Sequence, residues 1–106
     1  MIQGGVLDVA VDIRNGSATY GKSFSYELTE KNKAMLWIPP GFAHGFLTLE
    51  DKTIFSYKCT DVYNKGSEAA ILWNDKDLGI FWNIQDPVLS DKDRNAQAFR
   101  DFKSLF

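Results

Sequence analysis

Over residues 5–14, GVLDVAVDIR, apolar and polar positions alternate: Leu7, Val9, Val11 and Ile13 fall on one side, Val6, Asp8, Ala10 and Asp12 on the other. A period of two predicts a β-strand. NGS at 15–17 is a turn signal, and KSFSYEL then places Phe24, Tyr26 and Leu28 on one face of a second strand, which TEKN breaks. AMLWIP reads as a third, largely buried strand ending at Pro39, where proline removes a ladder donor and Pro40-Gly41 favours a tight turn. Two further alternating runs, FAHGFLTL at 42–49 and TIFSYKCT at 53–60, flank a short acidic link and predict a hairpin. With Glu50 and Asp51 as its loop, Phe46 faces Phe55 and His44 faces Tyr57, so His44 and Tyr57 point into one space. A slip of one residue would send them to opposite faces.

Beyond Thr60 the pattern weakens. DVYNKGSEAA reads as a loop, AILW as a short strand, and NDKDLGIFW as a loop running into an aromatic-rich segment. SDKDRNAQAFRDFKSLF has Ser90 three residues before Asp93, then Ala96, Phe99, Phe102 and Phe106 at helical spacing, which predicts a capped amphipathic helix over 90–106. About six strands, one terminal helix and no βαβ alternation predict an all-β antiparallel sandwich or barrel. Repeats, linkers and low-complexity segments are absent from the sequence.

Composition narrows this picture. A chain of 106 residues suits one domain, 1–106, with one core. The aromatic content of 14% fits a β-rich interior or a ring-lined site, and a net charge of −2 without a basic stripe excludes a nucleic-acid track. Cys59 is the single cysteine, so an internal disulfide is excluded, and it reads as a small buried hydrophobe rather than a nucleophile. With no charged leader pattern and no apolar run of spanning length, a cytoplasmic protein is expected, with no membrane partner.

The single histidine, His44, sits in LWIPPGFAHGF. Metal ligation wants several converging ligands, and one His and one Cys are too few; oxygen-only ligation by Asp8 and Asp12 is the remaining metal reading. Neither GxGxxG nor a lysine-containing P-loop is present to cradle phosphate. Acid–base chemistry remains: His44 and Tyr57 on one face would manage protons beside a ligand, with Asp8 accepting the second imidazole N–H. Each has a plainer reading, His44 as a satisfied core or rim residue, Tyr57 as packing and Asp93 as part of a capping box.

The runs GGVLDVAVDIRNGSATYGK, LWIPPGFAHGFLTL, FSYKCTDVYNKGSE, ILWNDKDLGIFW and PVLSDKD, in this order and spacing, resemble the C-terminal portion of the dTDP-4-dehydrorhamnose 3,5-epimerases, from about Gly4 to Asp93. The resemblance implies a cupin-like antiparallel jelly roll, here without its N-terminal strands. It implies inversion of C3 and C5 of dTDP-4-dehydro-6-deoxyglucose with no metal and no cofactor. By the same resemblance Tyr57 is the proton donor, His44 holds or polarises the sugar, Asp93 partners the catalytic base, Asp8 supports His44, and Lys58 lies beside Tyr57 in a substrate-binding or supporting role. Enolate stabilisation beside a ketone needs positioned donors and a tuned base, which a packed barrel interior supplies.

The sequence departs from the family in two places. The family's base is a histidine in an RGLHxQ segment, accompanied by a lysine, and both are expected upstream of Met1; Pro40 stands where an acidic residue is usual. Two functions follow from different classes. One is an epimerase whose residues here describe half of a site, impaired without the base. The other is a non-catalytic module that binds a sugar nucleotide or only associates with itself. Unpaired sheet edges lead us to expect a homodimer.

Overall fold

The computed structural model describes residues 3–57, 69–84 and 87–104. The chain divides into two compact units, residues 1–56 with 104–106, and residues 57–103. Among the described residues no helix is long and apolar enough to cross a membrane.

The first unit is a three-stranded antiparallel sheet in the order β2-β1-β3, with β1 Gly5–Asp12, β2 Ser23–Thr29 and β3 Phe42–Thr48. β1 is central, which explains why Val6, Val9, Ala10 and Val11, on both of its faces, are buried with Ile13 and Leu28 as the core. β-branched side chains suit such a pleated, doubly covered position. The register places Tyr26 and Phe46 on either side of Asp8, Phe24 and His44 on either side of Ala10, and Phe42 opposite Asp12. Directly paired residues share a face, so Asp8, Asp12, His44 and four aromatic rings stand on one side of the sheet.

The link from β1 to β2 is tied down at its base. Asp12 N–H donates to Lys22 O (3.0 Å), and Gly21 N–H donates to Asp12 O (2.8 Å). Gly16 and Gly21 adopt the positive φ that this loop requires, 78° and 82°. Gly4, before β1, has φ 82°, and a Cβ there would lie 2.5 Å from Thr53 Oγ1, so the close approach of 53–54 to the start of β1 depends on glycine.

Four expected elements differ. AMLWIP forms no strand, and Met35 and Trp37 are exposed. Both edges of β1 are already paired. β2 and β3 therefore run parallel on opposite sides of it, and residues 30–41 are spent on the crossover that such an arrangement demands. The hairpin is also replaced. β3 ladders with β1, and after a turn with Lys52 at φ 59° the chain reaches Gln3, which exchanges bonds with Ile54 (3.2 and 2.8 Å). The expected Phe46–Phe55 contact nonetheless forms, with ring centroids 5.0 Å apart.

In the second unit the expected long helix is confined to α1, Asp91–Arg94, followed by a 3-10 turn at Phe99–Asp101. Ser90 Oγ accepts from Asp93 N–H (3.1 Å), so the N-terminal cap stands where expected. The helix stops because other partners claim the backbone beyond it. Gln97 bridges Ile71, with Leu72 N–H donating to Gln97 O (2.8 Å), and Phe99 N–H donates to Asp75 (2.7 Å). The predicted AILW strand is reduced to that one bridge.

Val9 and Phe24 separate core from surface in this sheet. Val9→Ala should lower stability by about 2 kcal/mol in urea unfolding. Phe24→Ala, at a position 55% exposed, should cost less than about 1 kcal/mol. Equal losses would place the core elsewhere.

Candidate functional site

On the aromatic face of the sheet, His44 Nε2 hydrogen-bonds Asp8 Oδ1. The two are diagonal neighbours: Asp8 is paired with Phe46, and His44 with Ala10, two positions along each strand. That separation is short enough for an imidazole to reach a carboxylate. The Asp8 side chain is 3% exposed and that of His44 30%, so the carboxylate lies beneath an imidazole that still reaches solvent. With Nε2–H given to Asp8, Nδ1 is the nitrogen left to face a ligand. The Phe46 ring lies 6.2 Å from the imidazole, adding an apolar wall.

Asp12, four residues along β1 on the same face, is 1% exposed and saturated with donors. Arg14 donates through Nε (3.1 Å) and its backbone N–H (2.9 Å) to Oδ1 and through Nη2 (2.9 Å) to Oδ2. Ser17 Oγ (2.7 Å) and Thr19 Oγ1 also donate to Oδ2. The Arg14 guanidinium, first among these, holds the Asp12 carboxyl far below the usual carboxylate range against the opposing effect of burial. The same pairing raises Arg14. Oxygen ligation of a metal by Asp8 and Asp12 therefore finds these carboxylates already committed, and among the described residues no group of three His, Cys, Asp or Glu is placed to hold a metal ion.

Tyr57 and Asp93 belong to the second unit. Tyr57 is 66% exposed, and Asp93 is exposed on α1. The facing of His44 and Tyr57 expected from the sequence rests on a hairpin that is not formed among the described residues. Lys58 and Cys59 lie outside the described residues. Sequence reasoning passed over the Asp12 network, although DIRNGSAT does carry its signature: a carboxylate on a strand's buried face, followed at once by Arg, Ser and Thr. In the second unit, Asp75 is likewise buried, and the N–H groups of Phe99, Asp77 and Leu78, with Arg100 nearby, lower its carboxyl.

The family model described as dTDP-4-dehydrorhamnose 3,5-epimerase matches residues 1–101. A curated protein of that name from Shigella flexneri is 52% identical over 100 residues, 94% of this chain and 55% of the relative. A crystal structure of a dTDP-4-dehydrorhamnose 3,5-epimerase from Elizabethkingia anophelis matches with TM-score 0.91 at 49% identity, covering 94% of this chain and 56% of that one. A dTDP-6-deoxy-D-glucose-3,5-epimerase from Legionella pneumophila, solved in complex with dTDP-4-keto-L-rhamnose, matches with TM-score 0.85 at 41% identity, over 96% and 55% of the two chains. The chain thus spans about half the length of the curated relatives it matches.

Acid dependence follows from the Asp12 network. Because its folded carboxyl is depressed, its stabilisation is complete above the unfolded value of about 3.9 and is lost as pH falls toward the folded one. Thermal melts at several pH values should show Asp12→Asn well below wild type at pH 7, with the gap narrowing steadily as pH falls below about 4. A gap independent of pH would contradict the network.

Proposed function

We propose, from the premise that this chain belongs to the dTDP-4-dehydrorhamnose 3,5-epimerase family, that it carries part of a cofactor-independent epimerase site acting on dTDP-4-dehydro-6-deoxyglucose. The observation that carries this reading is the Asp8–His44 hydrogen bond, which holds the chain's single histidine at the mouth of an aromatic sheet face. The relative from Legionella pneumophila was solved with a sugar nucleotide of this class, dTDP-4-keto-L-rhamnose.

In this reading a base removes the proton from the carbon next to the ketone, and the electron pair passes to the ketone oxygen as an enolate. The Tyr57 phenol returns a proton to the opposite face of that carbon and is reprotonated from solvent, which inverts the centre. His44, oriented by Asp8 through Nε2, meets the sugar through Nδ1. Asp93 partners the base, and Lys58 supports the substrate next to Tyr57. An enolate beside a fixed donor needs no metal or organic cofactor. The reading places the protein in the cytoplasm, in keeping with its one cysteine, and as a homodimer, in keeping with the unpaired outer edges of β2 and β3 among the described strands.

A second reading is a non-catalytic module that binds the sugar nucleotide: an imidazole whose Nε2–H is held by Asp8 can hydrogen-bond a sugar through Nδ1 without moving a proton.

Solvent-deuterium incorporation into dTDP-4-dehydro-6-deoxyglucose separates the two. An epimerase washes deuterium into C3 and C5, and Tyr57→Phe should cut that rate by about 100-fold or more with little change in KM. Binding of the sugar nucleotide without exchange at either carbon supports the module instead.

A further inference from the structure

β1 buries two carboxylates on one face, and they are satisfied in different ways. Asp8 meets His44 on the neighbouring strand, whereas Asp12 gathers Arg14, Ser17 and Thr19 from the loop that follows it. In this grip the Arg14 guanidinium lies 5.1 Å from the centroid of the Phe42 ring, a cation–π distance. Phe42 is the direct partner of Asp12 in the ladder and the first residue of β3; His44 is the next residue on that face. Ile13 N–H donates to Gly41 O (3.0 Å), closing the ladder at the same end.

β3 is bonded along one edge only among the described strands, and its opposite face offers Ala43, Gly45 and Leu47, so toward the end where β3 begins the small Ala43 and Gly45 give packing little to grip. A slip of one residue in such a strand would carry His44 to the other face. We infer that Asp12 and Arg14 are positioning residues for the Asp8–His44 pair: the guanidinium held by Asp12 clasps Phe42, fixes the register where β3 begins, and so delivers His44 Nε2 to Asp8. They act through β3 and not through a ligand. The inference rests on the contact rather than on turnover, so it stands or falls apart from the proposed reaction.

His44 is the only histidine, so its imidazole N–H signal in a proton–nitrogen correlation spectrum needs no assignment strategy. Wild-type protein should show a slowly exchanging Nε2–H. Phe42→Leu removes the ring while leaving the Asp12 network whole, so it reads the register without putting the loop at stake; the signal should be lost to exchange while the dispersed amides of β1 and β2 persist. Phe42→Tyr, which keeps the ring, should restore it, and Arg14→Gln should reproduce the loss. A folded Phe42→Leu protein that retains the Nε2–H at its wild-type shift and exchange rate would overturn the inference. Loss of the signal in Phe42→Tyr would do so too, as would its absence from wild type, which would remove the contact itself.

Discussion

A carboxylate taken out of water must be given donors, and β1 takes two out of water within five residues of chain. Unpaired burial of such a group is far more costly than any single packing contact gains. At Asp12 the donors come from the chain's next seven residues, which bends the β1–β2 loop around the carboxylate and closes the hairpin beneath it. At Asp8 the donor comes from a strand thirty-six residues away, and that is what binds the site to the fold. The first carboxylate is settled locally and the second only by tertiary structure, so the placement of β3 beside β1 decides whether Asp8 is satisfied at all.

The same division explains the character of the site. A side chain that must reach a buried carboxylate from a neighbouring strand loses rotamer freedom, and the imidazole of His44 is thereby fixed with one nitrogen committed and the other available. Tyr26 and Phe46 stand on either side of the buried Asp8, while the outer edge of the His44 imidazole reaches solvent. An orienting acid, an oriented imidazole and apolar walls suit the holding of a polar ligand.

Strict alternation made β1, β2 and β3 legible in the sequence, and their bounds fall within two residues of those expected. Partner choice was not legible. The runs at 42–49 and 53–60 are neighbours in sequence and alternate well, yet alternation says which side chains share a face and nothing about which strand lies alongside. The bridge from Ile54 to Gln3 depends on the tight approach at Gly4, a long-range fact. AMLWIP has strand composition but is needed as a crossover. The helix over 90–106 has the right spacing, but Ile71 and Asp75, far back in the chain, take the backbone of Gln97 and Phe99. The pairing of Asp8 with His44 was readable because the two sit on alternating strands with one histidine available. The Asp12 network was readable in principle from DIRNGSAT, where a buried-face carboxylate is followed by three donors.

A double-mutant cycle on Asp8 and His44, read by urea unfolding at pH 7, addresses the contact on which the site is built. Asp8→Asn, His44→Gln and the double variant should show a coupling of roughly 1–3 kcal/mol, the range for a buried charged hydrogen bond, with the double variant far less destabilised than the sum of the two single ones. Additive losses, within about 0.3 kcal/mol, would mean that Asp8 and His44 do not interact in the folded protein. Asp8 would then be satisfied by some other group, and His44 would have no carboxylate to orient it.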